Sequence, residues 1–190
     1  YQAILGQLQD LESKKAKVIL NDEAKVFESV GLGEKAKTTH KTGVLVDCLS
    51  DYESEGDLVI LGKRGENANF ATEHLGSTME RVVRASNRIC LVTSRSFAEP
   101  KRILVAYDGG ESCRKAVEFM AHSEMFYGMD IHIVTVVSQS EDDALGHLRA
   151  AEKTMRAGSL SPVCQMLHGD IEEVISSYVA TNDIGLLVMG

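Results

Sequence analysis

Apolar residues along the chain follow two alternating rhythms. Ile171, Val174, Ile175, Tyr178 and Val179 recur at helical spacing, and a short apolar run over 186–189 then ends at Gly190. Leu45, Cys48, Leu49 and Tyr52 form a similar stripe, followed by an apolar run over 58–61 that ends at Gly62. Gly43 and Gly169 stand at the same place before the two stripes, and the second copy has two more residues between helix and strand. Two α/β units of one design account for this repeat.

The remaining pattern predicts, for the first unit, a helix over 3–30, a strand over 35–40, a helix over 44–53, a strand over 57–61, a helix over 77–85 and a strand over 89–93. For the second unit it predicts strands over 103–107, 131–137 and 163–167, with helices over 112–126 and 142–156 between them, before the stripe and strand already described. Alternation of this kind implies parallel sheets covered by helices on both faces. The runs at 58–61 and 103–106 are almost continuously apolar, as strands buried on both sides require. The expected fold is therefore α/β, with two Rossmann-like parallel-sheet units, residues 1–97 and 98–190, joined by a linker around 94–101 that contains Pro100. Each unit lacks what the other has. The first opens on a helix where the second has already made a strand, a helix and a strand. The second stops at Gly190, where the first continues through a glycine loop, helix and strand, so the sequence is expected to be an excerpt.

Composition narrows the classes. At 190 residues, 44% hydrophobic and 25% charged, the chain has the values of a globular protein. No apolar run approaches the roughly 18 residues of a membrane span, and no signal peptide is evident, so a cytoplasmic protein with no membrane partner is expected. Cys48, Cys90, Cys113 and Cys164 stand alone, as reduced core thiols rather than a disulfide framework or zinc site. No two histidines sit at ligand spacing on a helix, so no metal centre is expected. The net charge of −8 argues against nucleic acid as a partner, yet residues 63–102 hold eight basic and four acidic side chains. A basic island in an acidic protein suits a small anion better than a polyanion.

That island contains the segment with the most chemistry. Gly62-Lys-Arg-Gly65, ten intervening residues and then Gly76-Ser77-Thr78 read as strand, glycine-rich loop and helix. Glycines let backbone amides approach phosphate oxygens, and the Ser77 or Thr78 hydroxyl adds a hydrogen bond at the positive end of the following helix. The same residues also suit a plain turn followed by a helix N-cap at Ser77, and spacing alone does not choose. His74 adjoins this loop and reads better as a solvated loop histidine than as a phosphate ligand. The loop is not a Walker A motif, since no Gly-Lys-Ser/Thr triplet ends it. At the opening of the second unit, Asp108 stands at a strand's carboxyl end, where it either accepts hydrogen bonds from a nucleoside or caps the helix that begins near Ser112. Cys113 shares a helical stripe with Ala116, Val117, Met120 and Ala121 and reads as core.

These motifs resemble the universal stress protein family, specifically its tandem two-domain members. Gly62, Gly65, Gly76 and Ser77 match the family's G-x2-G-x9-G-(S/T) signature for ATP phosphates, with ten residues in place of nine. His74 to Ser77 and Glu80 to Arg84 are similar to the tandem-type loop and helix, and Val105 to Ser112 is similar to the family's first strand, with Gly110 where Ser is more usual. The resemblance implies ATP as ligand, accompanied by Mg2+, with Asp108 near the nucleoside and backbone groups at Val136 facing adenine. It also implies two units packed as a pseudo-dimer through apolar positions around Val92, or a homo-oligomer. A strand order of 3-2-1-4-5 would set Asp108 and Gly190 at matching ends of neighbouring strands. The first unit is expected to bind nucleotide through its glycine loop. The second is expected to bind poorly, because its own loop would lie beyond Gly190.

The function so implied is an adenine-nucleotide-binding stress-response protein acting as a ligand-dependent regulator. The alternative is an interaction or dimerisation protein of the same fold that does not bind ATP. Turnover beyond weak ATP hydrolysis is not expected, because no base or nucleophile stands beside the glycine loop.

Overall fold

The computed structural model describes residues 2–62, 77–94, 96–137 and 140–190. The chain divides into two units at the bond between Val92 and Thr93.

The first unit begins with α1 (Gln2–Ser29), a 28-residue helix. Ile4, Leu8, Leu11, Val18 and Ile19 on this helix are each more than half exposed. A 3-10 turn, Gly33–Lys35, follows, then α2 (Leu45–Ser50), β1 (Leu58–Gly62), α3 (Ser77–Ala85) and β2 (Ile89–Thr93). β1 and β2 are neighbours in a two-stranded sheet. α3 buries Met79 and Val82, three positions apart on one helical face, while the Glu80–Arg84 pair at 3.0 Å lies on the exposed face. Such an exposed pair adds little stability. Glu53 links the strand-helix layer, accepting from the Asn87 amide at 3.2 Å, while its backbone carbonyl accepts from Arg88 Nε at 2.7 Å.

The segment 35–40 forms no strand; after the 3-10 turn it runs without regular structure to α2. Thr38 and Thr39 favour extended backbone, but a strand needs a partner for its amides and a packed face for its side chains. Instead the segment is held at its end by Lys41, whose ammonium meets Asp51 at 2.6 Å and sits 4.7 Å over the Tyr52 ring.

In the second unit the alternation of strand and helix is unbroken: β3 (Arg102–Ala106), α4 (Glu111–Ala121), β4 (Asp130–Val137), α5 (Glu141–Ala157), β5 (Val163–His168), α6 (Ile171–Thr181) and β6 (Leu186–Val188). The expected helix over 112–126 ends at Ala121, and a separate 3-10 turn spans Glu124–Phe126. The four strands lie in the order β5-β4-β3-β6 and are all parallel. Relabelled within the unit, that is 3-2-1-4, the expected arrangement as far as the strands go.

Side-chain alternation along the central strands builds two cores. Ile103, Val105, Ile131 and Ile133 face α4 and α5, meeting Val117, Met120, Leu148 and Met155, all essentially solvent-free. Leu104 and Val134 face the other way, onto Ile175 and Tyr178 of α6. Each such aliphatic side chain contributes roughly 1.5–3 kcal/mol by leaving water. Local capping supports the helices: Ser140 accepts from the Asp143 amide at the start of α5, and Asp170 accepts from the Glu172 and Glu173 amides at the start of α6. The acidic run Glu141–Asp143 lies in the first turn of α5, where the helix dipole favours it.

A polar network closes the amino-terminal end of this sheet. His132 Nδ1 is 2.7 Å from the Tyr178 hydroxyl and its Nε2 is 3.3 Å from Asp130, which meets Arg102 Nε at 2.6 Å. Arg102 also donates to the Asn182 carbonyl at the end of α6. His132 and Tyr178 are buried, so the network satisfies polar groups that would otherwise destabilise the core.

Candidate functional site

At the opposite, carboxyl end of the same sheet, β3 and β6 run side by side with Val105 opposite Val188. Asp108 follows β3 and Gly190 follows β6, so the two predicted site residues are brought to the same end of the sheet. Open α/β sheets bind ligands at such an edge.

Asp108 does not cap α4. Its Oδ1 accepts from the Gly110 amide at 2.7 Å, closing the turn that leads into the helix, and Gly110 itself occupies the N-cap position. That amide is the main reason the carboxyl is held below the usual carboxylate range, opposed by partial desolvation and aided by Cys113 and the His147 charge. At neutral pH Asp108 is therefore an ionised acceptor on an exposed turn. Gly109, between them, has φ +79, a backbone conformation that a Cβ would strain.

Cys113 ties the two walls together from beneath. Its thiol donates to the Ala106 carbonyl at 3.4 Å, and the Gly190 amide is directed at the same sulfur. The side chain is 2% exposed, and burial pushes the thiol pKa up, which makes it an inert core group as its stripe predicted. Gly190 is pressed against the first turn of α4: a Cβ there would lie 2.7 Å from Cys113 Sγ and 2.8 Å from the Cys113 amide nitrogen. A side chain at this position would force β6 away from the helix.

The other predicted residues are placed as follows. Val136 lies near the end of β4, opposite Leu167 of β5 and packed on the α6 side of the sheet. Gly62 is the last residue of β1, Ser77 begins α3, and Thr78 is exposed in its first turn. Gly65, Gly76 and His74 lie outside the described residues. Depressions of about 340 Å³ occur elsewhere, one beside Tyr52, Leu58 and Arg88 in the first unit and one beside Leu167, Val174 and Tyr178 in the second. Neither touches Asp108 or Gly190. Among the described residues no group of three or more His, Cys, Asp and Glu side chains is placed to hold a metal ion, and no helix is long and apolar enough to cross a membrane.

Sequence reasoning missed His147. It lies on the exposed side of α5, yet its imidazole sits against Gly109. No local pattern marks it; the one available signal is a glycine doublet after Asp108, which reads only as a turn.

An open, parallel α/β sheet with helices packed on both faces defines a domain of the doubly wound class. The universal stress protein family profile matches residues 99–190. A universal stress protein of Synechocystis sp. is 40% identical over 197 aligned positions, covering all of this chain and 68% of that protein. The chain belongs to the universal stress protein family. Its fold is shared with the crystal structure of a universal stress protein from Archaeoglobus fulgidus, at a TM-score of 0.76 and 23% identity, over 95% of this chain and 66% of that one. The chain thus spans about two thirds of the length of both relatives.

Proposed function

We propose that the protein binds an adenine nucleotide, ATP with Mg2+, and acts in the cytoplasm as a ligand-dependent regulator of the stress response that its family membership indicates. Its two units are read as tandem copies of one domain that pair as a pseudo-dimer. The observation that carries this reading is the juxtaposition of Asp108 and Gly190 at the carboxyl ends of neighbouring parallel strands. The residues present suit a nucleoside: an ionised carboxylate accepts from a ribose hydroxyl or an adenine amine, beside a strand end that Gly190 holds close to the first turn of α4. The glycine loop that follows Gly62 is read as the phosphate cradle of a nucleotide bound by the first unit itself, a site of its own apart from Asp108 and Gly190. Binding is favoured over turnover because Asp108 is committed to the turn through Gly110 and the thiol beside it, that of Cys113, is buried with its pKa pushed up.

Mass spectrometry of small molecules released from the purified protein, followed by calorimetric titration with ATP, ADP and adenosine, tests the reading. An adenine nucleotide carried through purification and displaced by ATP is the expected result. Release of no nucleotide, together with no heat on titration at millimolar ATP, would leave the family fold with an interaction role instead.

A further inference from the structure

The turn that presents Asp108 is contacted from a helix far along the chain. A Cβ built on Gly109 would lie 2.4 Å from His147 Nδ1, 2.5 Å from Cγ and 2.7 Å from Cε1. The ring thus occupies the space that any side chain at position 109 would need. Two observations coincide on one residue: φ +79 favours glycine on backbone grounds, and the imidazole fills the space a Cβ would take. His147 is carried by α5, which begins just beyond β4, the strand that ends past Val136. The contact therefore couples the β3–α4 turn, which carries Asp108, to the second turn of α5. His147 is also one of the charges that lower the Asp108 carboxyl, behind the Gly110 amide and Cys113.

We infer that His147 is the positioning residue of this site. Its ring seats the Asp108–Gly110 turn, fixing the direction of the Asp108 carboxylate, and so sets affinity for the nucleoside portion of the ligand without touching its phosphates. This rests on the nucleoside reading of Asp108. A residue that acts only through another should change what that residue does while leaving the fold intact. His147 is exposed, and removing it opens no core cavity.

The test compares the parent with His147→Ala and His147→Phe. The Asp108 carboxyl is titrated by carbon-detected NMR, and adenosine and inorganic triphosphate affinities are measured by calorimetry. With His147→Ala, adenosine affinity is expected to fall by about fivefold, the order of one misdirected hydrogen bond. Triphosphate affinity and the thermal midpoint should stay at parent values, and the Asp108 titration should move up. His147→Phe keeps a flat ring over Gly109 and should recover most of the adenosine affinity, while its Asp108 titration stays raised because the charge is gone. Parent-like adenosine binding by His147→Ala, or equal losses for adenosine and triphosphate, would overturn the inference. If the parent binds no adenosine, the nucleotide reading fails on its own. The Asp108 carboxyl and Gly110 amide resonances then still decide the seating role, which is refuted if His147→Ala leaves both unchanged.

Discussion

Gly158→Ala should be among the most damaging small substitutions in the second unit. Gly158 closes α5 with φ −85 and ψ 16, angles that alanine adopts without strain, so the whole effect is steric. A Cβ at this position would lie 2.0 Å from the Ala121 carbonyl oxygen and 2.7 Å from the Ala121 carbonyl carbon and Cα. These are backbone atoms at the end of α4 and cannot rotate aside. With ordinary contact starting near 3.4 Å, the ends of α4 and α5 must part by about 1.4 Å. That separation loosens Met120, Ala121 and Met155, all 4% exposed or less. Overpacking of a tight interior costs about 1–3 kcal/mol, and the unyielding backbone contact places this case near 3 kcal/mol. Gly146→Ala is the matched control. It lies inside α5 with nothing within 4 Å of the new methyl group, so it should stabilise by about 0.5–1 kcal/mol through helix propensity and a less free unfolded chain. Urea unfolding followed by hydrogen exchange on α4 and α5 peptides should show the Gly158→Ala midpoint lowered by about 1.5 M, taking a slope near 2 kcal/mol/M. The Gly146→Ala midpoint should rise. A Gly158→Ala midpoint at or above the parent value would refute the packing argument.

Three further outcomes are expected. Burial pushes the Cys164 thiol from 9.0 up to about 11, so the folded state holds its proton longer than the unfolded chain. The stability this contributes is intact below pH 9 and lost as pH rises toward 11; Cys164→Val should flatten that alkaline decline in a thermal-melt series. Tyr178→Phe removes the hydroxyl that meets His132 Nδ1 at 2.7 Å and leaves a buried ring nitrogen unpaired, lowering unfolding free energy by about 1–3 kcal/mol in chemical denaturation. Gly65→Val places a side chain where the glycine loop's amides are to meet phosphate, and should lower ATP affinity more than tenfold, about 1.4 kcal/mol, by calorimetry.

Most of the second unit was legible because its two central strands are buried on both faces. Ile103 to Ala106 and Ile131 to Val137 are nearly unbroken apolar runs, and such runs have few other places to go. The stripe of Cys113, Val117, Met120 and Ala121 predicted the buried face of α4. The segment 35–40 was misread because threonine's preference for extended backbone is local, whereas a strand is made by its neighbours. The site was legible in part. Asp108 and Gly190 could be paired by strand order, since topology alone brings them together. The helix-capping role weighed for Asp108 was replaced by the Gly110 turn, a difference of one or two amides that composition does not resolve. His147 was illegible because its contact with Gly109 joins two elements whose relative depth depends on core packing.

The pairing of β3 with β6 also governs when the crevice comes into being. β4 aligns with β3 across one helical crossover, but β6 must return to the far side of β3, joining residues about eighty positions apart. Closing that longer loop from an unstructured chain costs about 1 kcal/mol more than closing the β3–β4 connection, which favours β6 as a late pairing step. Cys113 can receive the Gly190 amide only after that step. A partly folded chain therefore has Asp108 on its turn but no facing wall. A small molecule gripped between the two would select chains with β6 paired over those without it and stabilise them by mass action. Ligand occupancy at this edge would then double as a check on maturation, distinguishing molecules in which β6 has docked from those in which it has not.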